Sequence, residues 1–387
     1  MSFPFETLRR APDVDGPGLV AVDAADRLIL DESRDARLAA RPEDLVVIGD
    51  AYGALALGAA WEATGGGAIR VHQDALTGER ALAQNATRLD REAPGLSRRV
   101  ETRPTLDADL VRGARIVLLR LPRSLDALRD IAGLIAAHAD PSVVFYAGGR
   151  LKHMSVAMND VLGASFARVD VTHARQKSRV LVARGARDGR DPRPDAATVH
   201  AAGPIELEVR AFGGAFGGAR LDPGTRLLLE HLPPPASSTA GTADDPLLDL
   251  ACGTGLIGAW LARRHPSAHV WSSDQSAVAV ASAQATAAAN GVADRMRIVR
   301  DDALSARPGA AASFITLNPP FHSGAAVTDR IAPHLFADAG RVLRPGGELW
   351  CVWNSPLAYR PVLERLVGPT RQVARDPRFT VTVSIRR

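Results

Sequence analysis

The sequence contains little cysteine and little lysine, and it has no long hydrophobic run without charge. Its 387 residues include two cysteines, Cys252 and Cys351, and two lysines, Lys152 and Lys177. Both cysteines lie in or at the ends of apolar segments, which predicts reduced, buried thiols in a cytosolic protein, without a disulfide framework or a metal cluster. No segment is apolar enough to span a bilayer, and the amino terminus lacks the apolar core of an export signal. We therefore expect neither a membrane protein nor a secreted one.

The composition is that of a globular protein with a small excess of positive charge. Apolar residues make up 46% and charged residues 23% of the chain, which excludes disordered and fibrous classes. The formal net charge is +4 and the pI is about 9.5, and nearly all of the positive charge comes from arginine. This balance permits a polyanionic partner but does not require one. The length suffices for two domains, each with its own core.

Segments with strand character and segments with helix character alternate in each half of the chain. In the first half, helical segments separate the predicted strands, which are 45–48, 69–72, 100–103, 115–121 and 142–146. In the second half, a glycine turn lies within a similar series of strand 247–250, helix 256–264 and strand 269–272. The alternation predicts an α/β fold with two tandem doubly wound, Rossmann-like domains, each a mostly parallel sheet with helices on both faces.

The two halves resemble each other, which indicates an internal duplication. An offset of 200 residues relates three pairs of positions: Gly53 and Gly253, Gly58 and Gly258, and Asp74 and Asp274. The segment 184–200 is rich in Arg, Asp, Gly and Pro, which is the composition of an exposed linker. We therefore predict a first domain at 1–190, a linker at 191–200 and a second domain at 201–387.

The second half contains a strand end that is suited to holding an amino group. The apolar run 314–317 leads to Asn318-Pro319-Pro320-Phe321, at the carboxyl end of a predicted buried strand, where open α/β sheets bind ligands. Two prolines end the strand pairing and leave carbonyl groups free, and the Asn318 side chain adds another acceptor. Phe321 offers a flat face for a nucleobase. The alternative interpretation is a Pro-rich turn after an ordinary strand.

The first half lacks this chemistry. The predicted counterpart of the strand end is 121–124, which reads Leu-Pro-Arg-Ser. It offers neither an amide acceptor nor a stacking ring, so the first domain is predicted to be non-catalytic.

A glycine-rich turn in the second half predicts a nucleotide-like cofactor. Residues 249–258 read DLACGTGLIG, a literal G-x-G-x-x-G, and Asp274 follows at the spacing of a ribose contact. The turn alone fits NAD. S-adenosylmethionine is favoured because Asp249 could accept from its α-amino group, Asp274 from its ribose hydroxyls and Asp302 from its adenine amino group. Alternatively, Asp249 is a turn residue, and Asp301 and Asp302 are solvated.

Together these motifs resemble those of a known family. The pattern Asp249-x-Ala251-x-Gly253-x-Gly255 is similar to the first motif of class I methyltransferases, with Ala251 in place of the usual first glycine. The segment 318–322, NPPFH, resembles the fourth motif of enzymes that methylate exocyclic amino groups. A tandem arrangement with a degenerate first copy is similar to the ribosomal RNA guanine-N2 methyltransferases of the small- and large-subunit type.

The resemblance implies an S-adenosylmethionine-dependent methyltransferase that acts on the exocyclic N2 amino group of a guanine in 16S or 23S ribosomal RNA. It implies a degenerate methyltransferase-like domain at 1–190, a catalytic domain at 201–387, and no metal. The catalytic residues that it implies are Asn318, Pro319, Pro320 and Phe321. The cofactor-binding residues that it implies are Asp249, Ala251, Gly253, Gly255, Asp274, Asp301, Asp302 and Asn318.

The expected partner is ribosomal RNA or a ribosomal subunit, and no membrane. The predicted substrate-binding residues are Phe321, His322, Lys152, Arg175, Lys177 and Arg179. The last four belong to a group of positive charges late in the first domain that could bind phosphates, although a solvated surface is the more common explanation of such a group. The chain is expected to be monomeric, because its two halves form an internal pseudo-dimer.

Several alternatives stay open. Phe216 and the segment 221–225 resemble the part of the family that covers the cofactor pocket, but a helix cap at Asp222 or Thr225 explains the segment as well. The function could also be methylation of another amino group, such as adenine N6 or a protein glutamine, which analysis of the methylated product would separate. A non-catalytic RNA-binding or assembly module and an NAD-dependent dehydrogenase are the remaining classes.

Overall fold

The chain folds into two compact units. The computed structural model describes residues 2–320 and 325–387, and the two units are Met1–Arg193 and Pro194–Arg387. Within the described residues, no helix is both long enough and apolar enough to cross a membrane.

The first unit is built on a seven-stranded sheet. Its strands are β1 Leu45–Ile48, β2 Ile69–His72, β3 Val100–Thr102, β4 Ile116–Arg120, β5 Val144–Arg150, β6 Phe166–Val171 and β7 Ser178–Ala186. Its helices are α1 Ala24–Leu38, α2 Ala54–Glu62, α3 Leu76–Leu89, α4 Ala108–Val111, α5 Leu125–His138 and α6 Ala157–Ser165. The strand order is β3-β2-β1-β4-β5-β7-β6. The strands β1 to β5 are parallel, and β7 runs antiparallel to both of its neighbours.

The second unit repeats this arrangement and adds a hairpin. Its strands are β8 Asp195–His200, β9 Glu206–Ala211, β10 Leu247–Leu250, β11 Val270–Asp274, β12 Met296–Arg300, β13 Ala312–Leu317, β14 Leu343–Asn354, β15 Thr370–Arg375 and β16 Phe379–Ile385. Its helices are α7 Pro223–His231, α8 Leu256–Arg264, α9 Ala277–Ala289, α10 Ala325–Val342 and α11 Arg360–Leu366. The sheet order is β12-β11-β10-β13-β14-β16-β15, which is the order of the first sheet, and β8 pairs with β9. The predicted α/β class is confirmed.

The central strands are buried because helices cover both faces of each sheet. All four residues of β1, all four of β10 and all six of β13 are buried. A cluster of apolar side chains lies on each face of each sheet. In β10, Asp249 is a carboxylate among three leucines, and it is fully buried. A charged group in such a strand carries a large desolvation cost, which makes Asp249 a candidate functional residue.

Most of the segment predicted as a linker, 191–200, is a strand in the structure. The boundary between the units falls after Arg193, and most of the remaining segment is the strand β8, which pairs antiparallel with β9. Its composition suggested an exposed linker, and four of its six residues are indeed exposed. Pairing with β9 provides the backbone hydrogen bonds that hold it as a strand.

A row of polar side chains on α9 covers the edge of β9 that faces away from β8. The row consists of Ser282, Thr286 and of Asn290, which follows directly after the helix. These side chains bond the backbone of Phe212, Arg210 and Glu208, respectively, at distances of 2.8 to 3.2 Å. Four helical residues rise about 6 Å and two strand residues about 6.8 Å, so the two repeats match. Hydrogen bonds between these side chains and the backbone of the β9 segment therefore hold the hairpin against α9.

The two sheets correspond with a larger offset than the sequence suggested. The starts of β1 and β10, and likewise of α2 and α8, are 202 residues apart, whereas α3 and α9 start 201 residues apart. Gly53 therefore corresponds to Gly255, and each caps its helix in the left-handed conformation. Asp274 corresponds to Gln73 and not to Asp74. The pairs predicted at an offset of 200 are wrong, because glycine-rich turns align in several ways until strand pairing sets the register.

Candidate functional site

The carboxyl ends of four parallel strands bring the predicted site residues into one row. The register places side by side Leu317 of β13, Leu250 of β10, Ser273 of β11 and Val299 of β12. The residues that follow these four are Asn318, Ala251, Asp274 and Arg300. Neighbouring strands lie about 4.8 Å apart, so Asn318 is beside the glycine turn and Asp274 is one strand further. The sheet therefore joins the two motifs at the edge where α/β folds bind ligands.

The glycine turn has the tight, left-handed geometry that its sequence predicts. Gly253 has a φ of +53° and Gly255 a φ of +74°. A Cβ on Gly255 would lie 2.7 Å from the Cβ of Ala283, so this glycine permits a close approach of α8 to α9. Ala251 adopts a φ of +56° in spite of its side chain, at a cost of about 1–2 kcal/mol. Alanine in place of the first glycine has therefore left the turn intact.

Asp249 lies beneath the start of α8 and is fully buried. Its Oδ2 accepts a hydrogen bond from the Gly258 backbone N–H at 2.9 Å, whereas Oδ1 has no partner within the described residues. Burial raises the pKa of Asp249 to about 7, and the charge of Asp274 adds to this. A carboxylate with an unused buried oxygen is suited to receive a cationic donor. Its predicted contact with the cofactor amino group stays a prediction.

Asp274 connects the glycine turn to the start of α9. Its Oδ2 accepts from the Gly253 N–H at 2.9 Å, and its Oδ1 accepts from the Ser276 N–H at 2.9 Å. The side chain is half-buried, and each carboxylate oxygen can accept more than one hydrogen bond. The predicted contact with ribose hydroxyls is compatible with this geometry and stays a prediction.

The two acids after β12 differ in their surroundings. Asp301 is buried and bonds its own loop: it accepts from the Asp302 N–H at 2.9 Å, from the Ser305 hydroxyl and from the Ala306 N–H at 2.8 Å. Asp302 is half-buried, and its Oδ1 lies 3.0 Å from Nε2 of His334. This hydrogen bond raises the pKa of His334. The carboxylate of Asp301 is thus engaged by its own loop and that of Asp302 by His334, and both predicted cofactor contacts stay predictions.

The amide of Asn318 has a defined orientation. Its Nδ2 donates to Asp222 Oδ2 at 3.1 Å and to Thr225 Oγ1 at 2.9 Å. A carboxylate can only accept, so the NH2 side must face Asp222. The carbonyl oxygen Oδ1 is buried and has no donor within the described part of the chain. Leaving such an acceptor unpaired costs about 1–3 kcal/mol, which a ligand donor would recover.

Sequence reasoning did not find that Asp222 and Thr225 contact Asn318. Asp222 caps α7 and accepts from the Thr225 backbone N–H at 3.0 Å, so the helix-cap interpretation of this segment is confirmed. The contact with Asn318 spans 96 residues, and the cap motif was its only sequence signal. Phe216 precedes this helix and is 50% exposed. Its predicted role in covering the cofactor stays a prediction.

The remaining residues of the NPPFH segment are described only in part. Pro319 is buried and Pro320 is half-buried directly after β13, so the strand ends where the prolines predict. Phe321 and His322 lie outside the described residues. Their predicted contacts with substrate stay predictions.

In the first unit, the strand register places Arg120 at the position of Asn318. Leu119 pairs with Ile48 in the first sheet, as Leu317 pairs with Leu250 in the second. The counterpart of the strand end is therefore 120–123 and not 121–124, because the pairing of β4 with β1 shifts the alignment by one residue. The absence of an amide acceptor still holds at the corrected positions.

Arg120 is held by acids at the start of α1. It donates to both carboxylate oxygens of Asp23 at 2.9 and 3.1 Å, and it lies 3.3 Å from Asp26 Oδ1. Burial raises the pKa of Asp26 to about 6, although the charge of Arg120 opposes the shift. Asp23 caps α1 as Asp222 caps α7. The first unit thus has an ion pair where the second has an amide carbonyl without a donor among the described residues.

The predicted RNA-binding charges lie around the carboxyl end of β5. Lys152 follows β5, and the Leu151 N–H donates to the Lys177 carbonyl at 2.9 Å, which brings the two lysines close together. Both lysines are exposed, and within the described residues no carboxylate pairs with them. Arg179 is half-buried, and Arg175 contacts Asp31 and Glu32, each at 3.3 Å. Contact with RNA stays a prediction, and the lysines, unlike Arg175, are exposed without a paired carboxylate in the described part of the chain.

The chain matches known families along most of its length. Residues 2–187 match the RLMG N-terminal domain, and residues 206–383 match the methyltransferase small domain. The ribosomal RNA large subunit methyltransferase G of Magnetococcus marinus is 31% identical over 98% of this chain and 96% of its own length. The protein of the same name from Streptomyces coelicolor is 31% identical over 98% of this chain and 97% of its own.

A solved structure shares the fold of the whole chain. The T. thermophilus 16S rRNA N2 G1207 methyltransferase (RsmC), in complex with AdoMet and guanosine, superposes with a TM-score of 0.72 at 22% identity, over 97% of each chain. This likeness supports a shared architecture, and the full-length relatives establish the family. The chain belongs to the family of the ribosomal RNA large subunit methyltransferase G proteins, as the acid-glycine turn and the NPPFH segment predict.

Proposed function

We propose that the chain is an S-adenosylmethionine-dependent methyltransferase that acts on the N2 amino group of a guanine in ribosomal RNA. The names of its full-length relatives support ribosomal RNA methylation and favour the large-subunit RNA. The structure of similar fold contains AdoMet and guanosine. The observation that carries the proposal is the carbonyl oxygen of Asn318, which is buried beside the glycine turn and has no donor among the described residues.

The residues of the second unit suit both ligands. Asp249, Asp274 and Asp302 would hold the amino, ribose and adenine groups of S-adenosylmethionine, with Ala251, Gly253 and Gly255 giving the backbone room to approach. When bound, the cofactor would supply an electrophilic methyl group to the guanine N2 lone pair, and its sulfur would keep the electron pair of the broken C–S bond. The N2 lone pair is a weak nucleophile because it is delocalised into the ring.

Asn318 and Pro319 would correct this weakness. Two acceptors, Asn318 Oδ1 and the Pro319 carbonyl, would hold both amino protons and favour a pyramidal nitrogen whose lone pair points out of the ring. Positioning of this kind supplies a large part of a rate enhancement. The proton that N2 loses would pass to water. Phe321 would stack on the guanine after the base leaves its helix or loop.

We infer that both units are doubly wound methyltransferase-like domains, of which residues 201–387 are catalytic and 1–190 are degenerate. Both sheets have the same strand order. In the first unit, however, Val47 stands where Asp249 stands in the second, and Gln73 and Arg120 replace Asp274 and Asn318. One cofactor molecule should therefore bind per chain. We also propose that the chain is a monomer and acts in the cytoplasm. Calorimetric titration would measure this stoichiometry, and two sites per chain would contradict the assignment.

Substituting Asn318 tests the catalytic role. Asn318→Ala should abolish methyl transfer from labelled cofactor to separated 16S and 23S RNAs and ribosomal subunits, and it should change cofactor affinity by only a few-fold. Asn159→Ala, which removes an amide from α6 of the first unit, is the control and should retain wild-type turnover. Normal turnover of Asn318→Ala would overturn the proposal, and methylation of adenine N6 in the product would favour the alternative amino group.

The two exposed lysines test RNA binding by the first unit. The double substitution Lys152→Gln/Lys177→Gln should weaken RNA binding and reduce the slope of log affinity against log salt by about 1 per lysine. The control is Arg112→Gln/Arg115→Gln, which removes the same charge just before β4, at the opposite edge of the sheet. Equal effects of the two double substitutions would leave the lysines as ordinary solvated surface.

A further inference from the structure

We infer that Asp222 and Thr225 are positioning residues that turn the carbonyl oxygen of Asn318 towards the substrate amino group. The inference rests on the proposed function, because it concerns the group on which that function depends. It adds an anchor on α7 to the residues that the NPPFH segment supplies.

A carboxamide is nearly symmetric in shape. Its oxygen and nitrogen are similar in size, so packing alone does not decide which of them faces the substrate. Asp222 Oδ2 and Thr225 Oγ1 lie 3.1 and 2.9 Å from the Asn318 nitrogen. The opposite orientation would place two acceptor oxygens against each other and would present an NH2 donor to the substrate. The anchor therefore makes the site an acceptor for N–H groups.

The anchor itself is held firmly. Asp222 Oδ2 also accepts from the Thr225 backbone N–H at 3.0 Å, and Pro223 occupies the first position of α7. The start of the helix packs tightly, because a Cβ on Gly224 would lie 3.0 Å from the Phe379 ring. Thr225 is buried. Neither acceptor can move away from Asn318 without disturbing this packing.

The first unit contains a matching contact with different chemistry. The last residue of β4 is Arg120, and it bonds the cap residue of α1, Asp23, and the third residue of that helix, Asp26. In the second unit the residue after β13 bonds the cap residue and the third residue of α7. Both units therefore connect the strand end to the same two helix positions. Among the described residues, Asn318 keeps an unpaired acceptor oxygen after that connection, whereas the guanidinium of Arg120 offers donors alone.

The orientation has a consequence for substrate choice. With its NH2 group engaged, Asn318 offers only an acceptor, so the reacting group must be a donor such as an exocyclic amine. A carbonyl at the same position of a base would face the Asn318 oxygen without a proton between them, which is unfavourable. The anchor therefore selects an amino group before any methyl transfer takes place.

Conservative substitutions separate this role from helix capping. Asn is as good a helix cap as Asp, but its carbonyl oxygen is a neutral and weaker acceptor than the carboxylate, and its NH2 group can also donate to a reversed Asn318 amide. We expect the kcat of Asp222→Asn to fall roughly 3- to 10-fold, as a charge-assisted hydrogen bond becomes a neutral one. The KM for RNA and the Kd for cofactor should stay within about threefold of wild type. Thr225→Val should behave similarly, whereas Thr225→Ser, which keeps the hydroxyl, should restore most of the rate.

A paired substitution gives a sharper test. In Asn318→Asp, two carboxylates would lie about 3 Å apart and resist ionising together. The double variant Asp222→Asn/Asn318→Asp restores one donor and one acceptor at this contact, so its kcat should exceed that of Asn318→Asp at least tenfold. Asp107→Asn, which alters the cap of α4 in the first unit, is the matched control and should keep wild-type kcat.

An independent measurement does not require activity. The chain has five asparagines, so 15N-asparagine labelling gives five side-chain amide signals, and Asn318→Ala assigns one of them. The Asn318 NH2 protons should exchange slowly in the wild type and faster in Asp222→Asn and Thr225→Val.

The outcomes separate the inference from the proposed function. Wild-type kcat in both variants of an active enzyme, at unchanged thermal stability, would overturn the positioning role. The role would also be overturned if kcat fell only in proportion to a loss of stability or of cofactor affinity. If the Asn318 NH2 protons exchange slowly in a wild-type chain that methylates no ribosomal RNA, the anchor would be supported and the proposed function would be rejected.

Discussion

Replacing Asp249 with asparagine should make the protein more stable, and the gain should increase with pH. The carboxyl of Asp249 is fully buried at the end of β10. Burial raises its pKa from an ordinary 3.8 to about 7. A carboxyl whose folded pKa is raised favours the folded state at low pH, where it is protonated, and loses that contribution as pH rises towards the folded pKa. Asparagine has no such titration.

The two pKa values set the size of the effect. The cost of the buried carboxyl, relative to the unfolded chain, is about 2 kcal/mol at pH 5 and about 4 kcal/mol at pH 8. In the Asp249→Asn variant, the side-chain carbonyl oxygen of the new asparagine can still accept from the Gly258 N–H, so the hydrogen bond at 2.9 Å need not be lost. The difference in free energy of unfolding between variant and wild type should therefore grow by about 2–3 kcal/mol from pH 5 to pH 8.

Urea unfolding without cofactor, followed by tryptophan fluorescence at pH 5, 6, 7 and 8, measures this difference. The control is Asp245→Asn. Asp245 is also buried, and although burial opposes the shift, hydrogen bonds from Ser313 and Thr239 and the charge of Arg344 lower its pKa. Because Asp245 is ionised throughout this pH range in both states, its variant should be destabilised by a nearly constant amount. A pH-independent difference for Asp249→Asn would refute the reasoning, since it would mean that the carboxyl titrates normally.

Two further substitutions test the structure that supports the site. Thr286→Val should destabilise the protein by roughly 2–4 kcal/mol in urea unfolding, because it leaves one N–H and one C=O of β9 without partners. The control, Thr87→Val on the exposed face of α3, should have little effect. Similar free energies of unfolding for the two variants would show that the helix contributes nothing to holding the hairpin. Gly255→Ala should impair both folding and cofactor binding, because its Cβ would meet Ala283 at 2.7 Å in a left-handed residue. The Cβ of Gly253→Ala would meet no atom within 4 Å, so this variant should lose only about 1–2 kcal/mol through conformational strain. Equal losses of stability for the two variants in thermal melts would contradict the contact between Gly255 and Ala283.

The sequence by itself determined the features that depend on residues close together in the chain. The alternation of apolar segments predicts the α/β class, because each segment buries a face or a stripe of its own. The turn from Asp249 to Gly255 and the strand end at Asn318 are likewise local, since they depend on left-handed glycines and on prolines that cannot pair. No single motif establishes the family, but the order of these local motifs predicts it, and the full-length relatives confirm the prediction.

Tertiary structure decided what depends on register and on distant partners. Strand pairing alone shows that Arg120, and not Leu121, stands at the position of Asn318, because a shift of one residue is invisible in an apolar run. The hydrogen bonds after β12 show that the carboxylate of Asp301 is engaged by its own loop. The sequence could not distinguish this carboxylate from that of Asp302. The orientation of the Asn318 amide depends on Asp222, 96 residues away. Such a contact exists only after β13 and α7 have packed into one unit, so no pattern of neighbouring residues could reveal it.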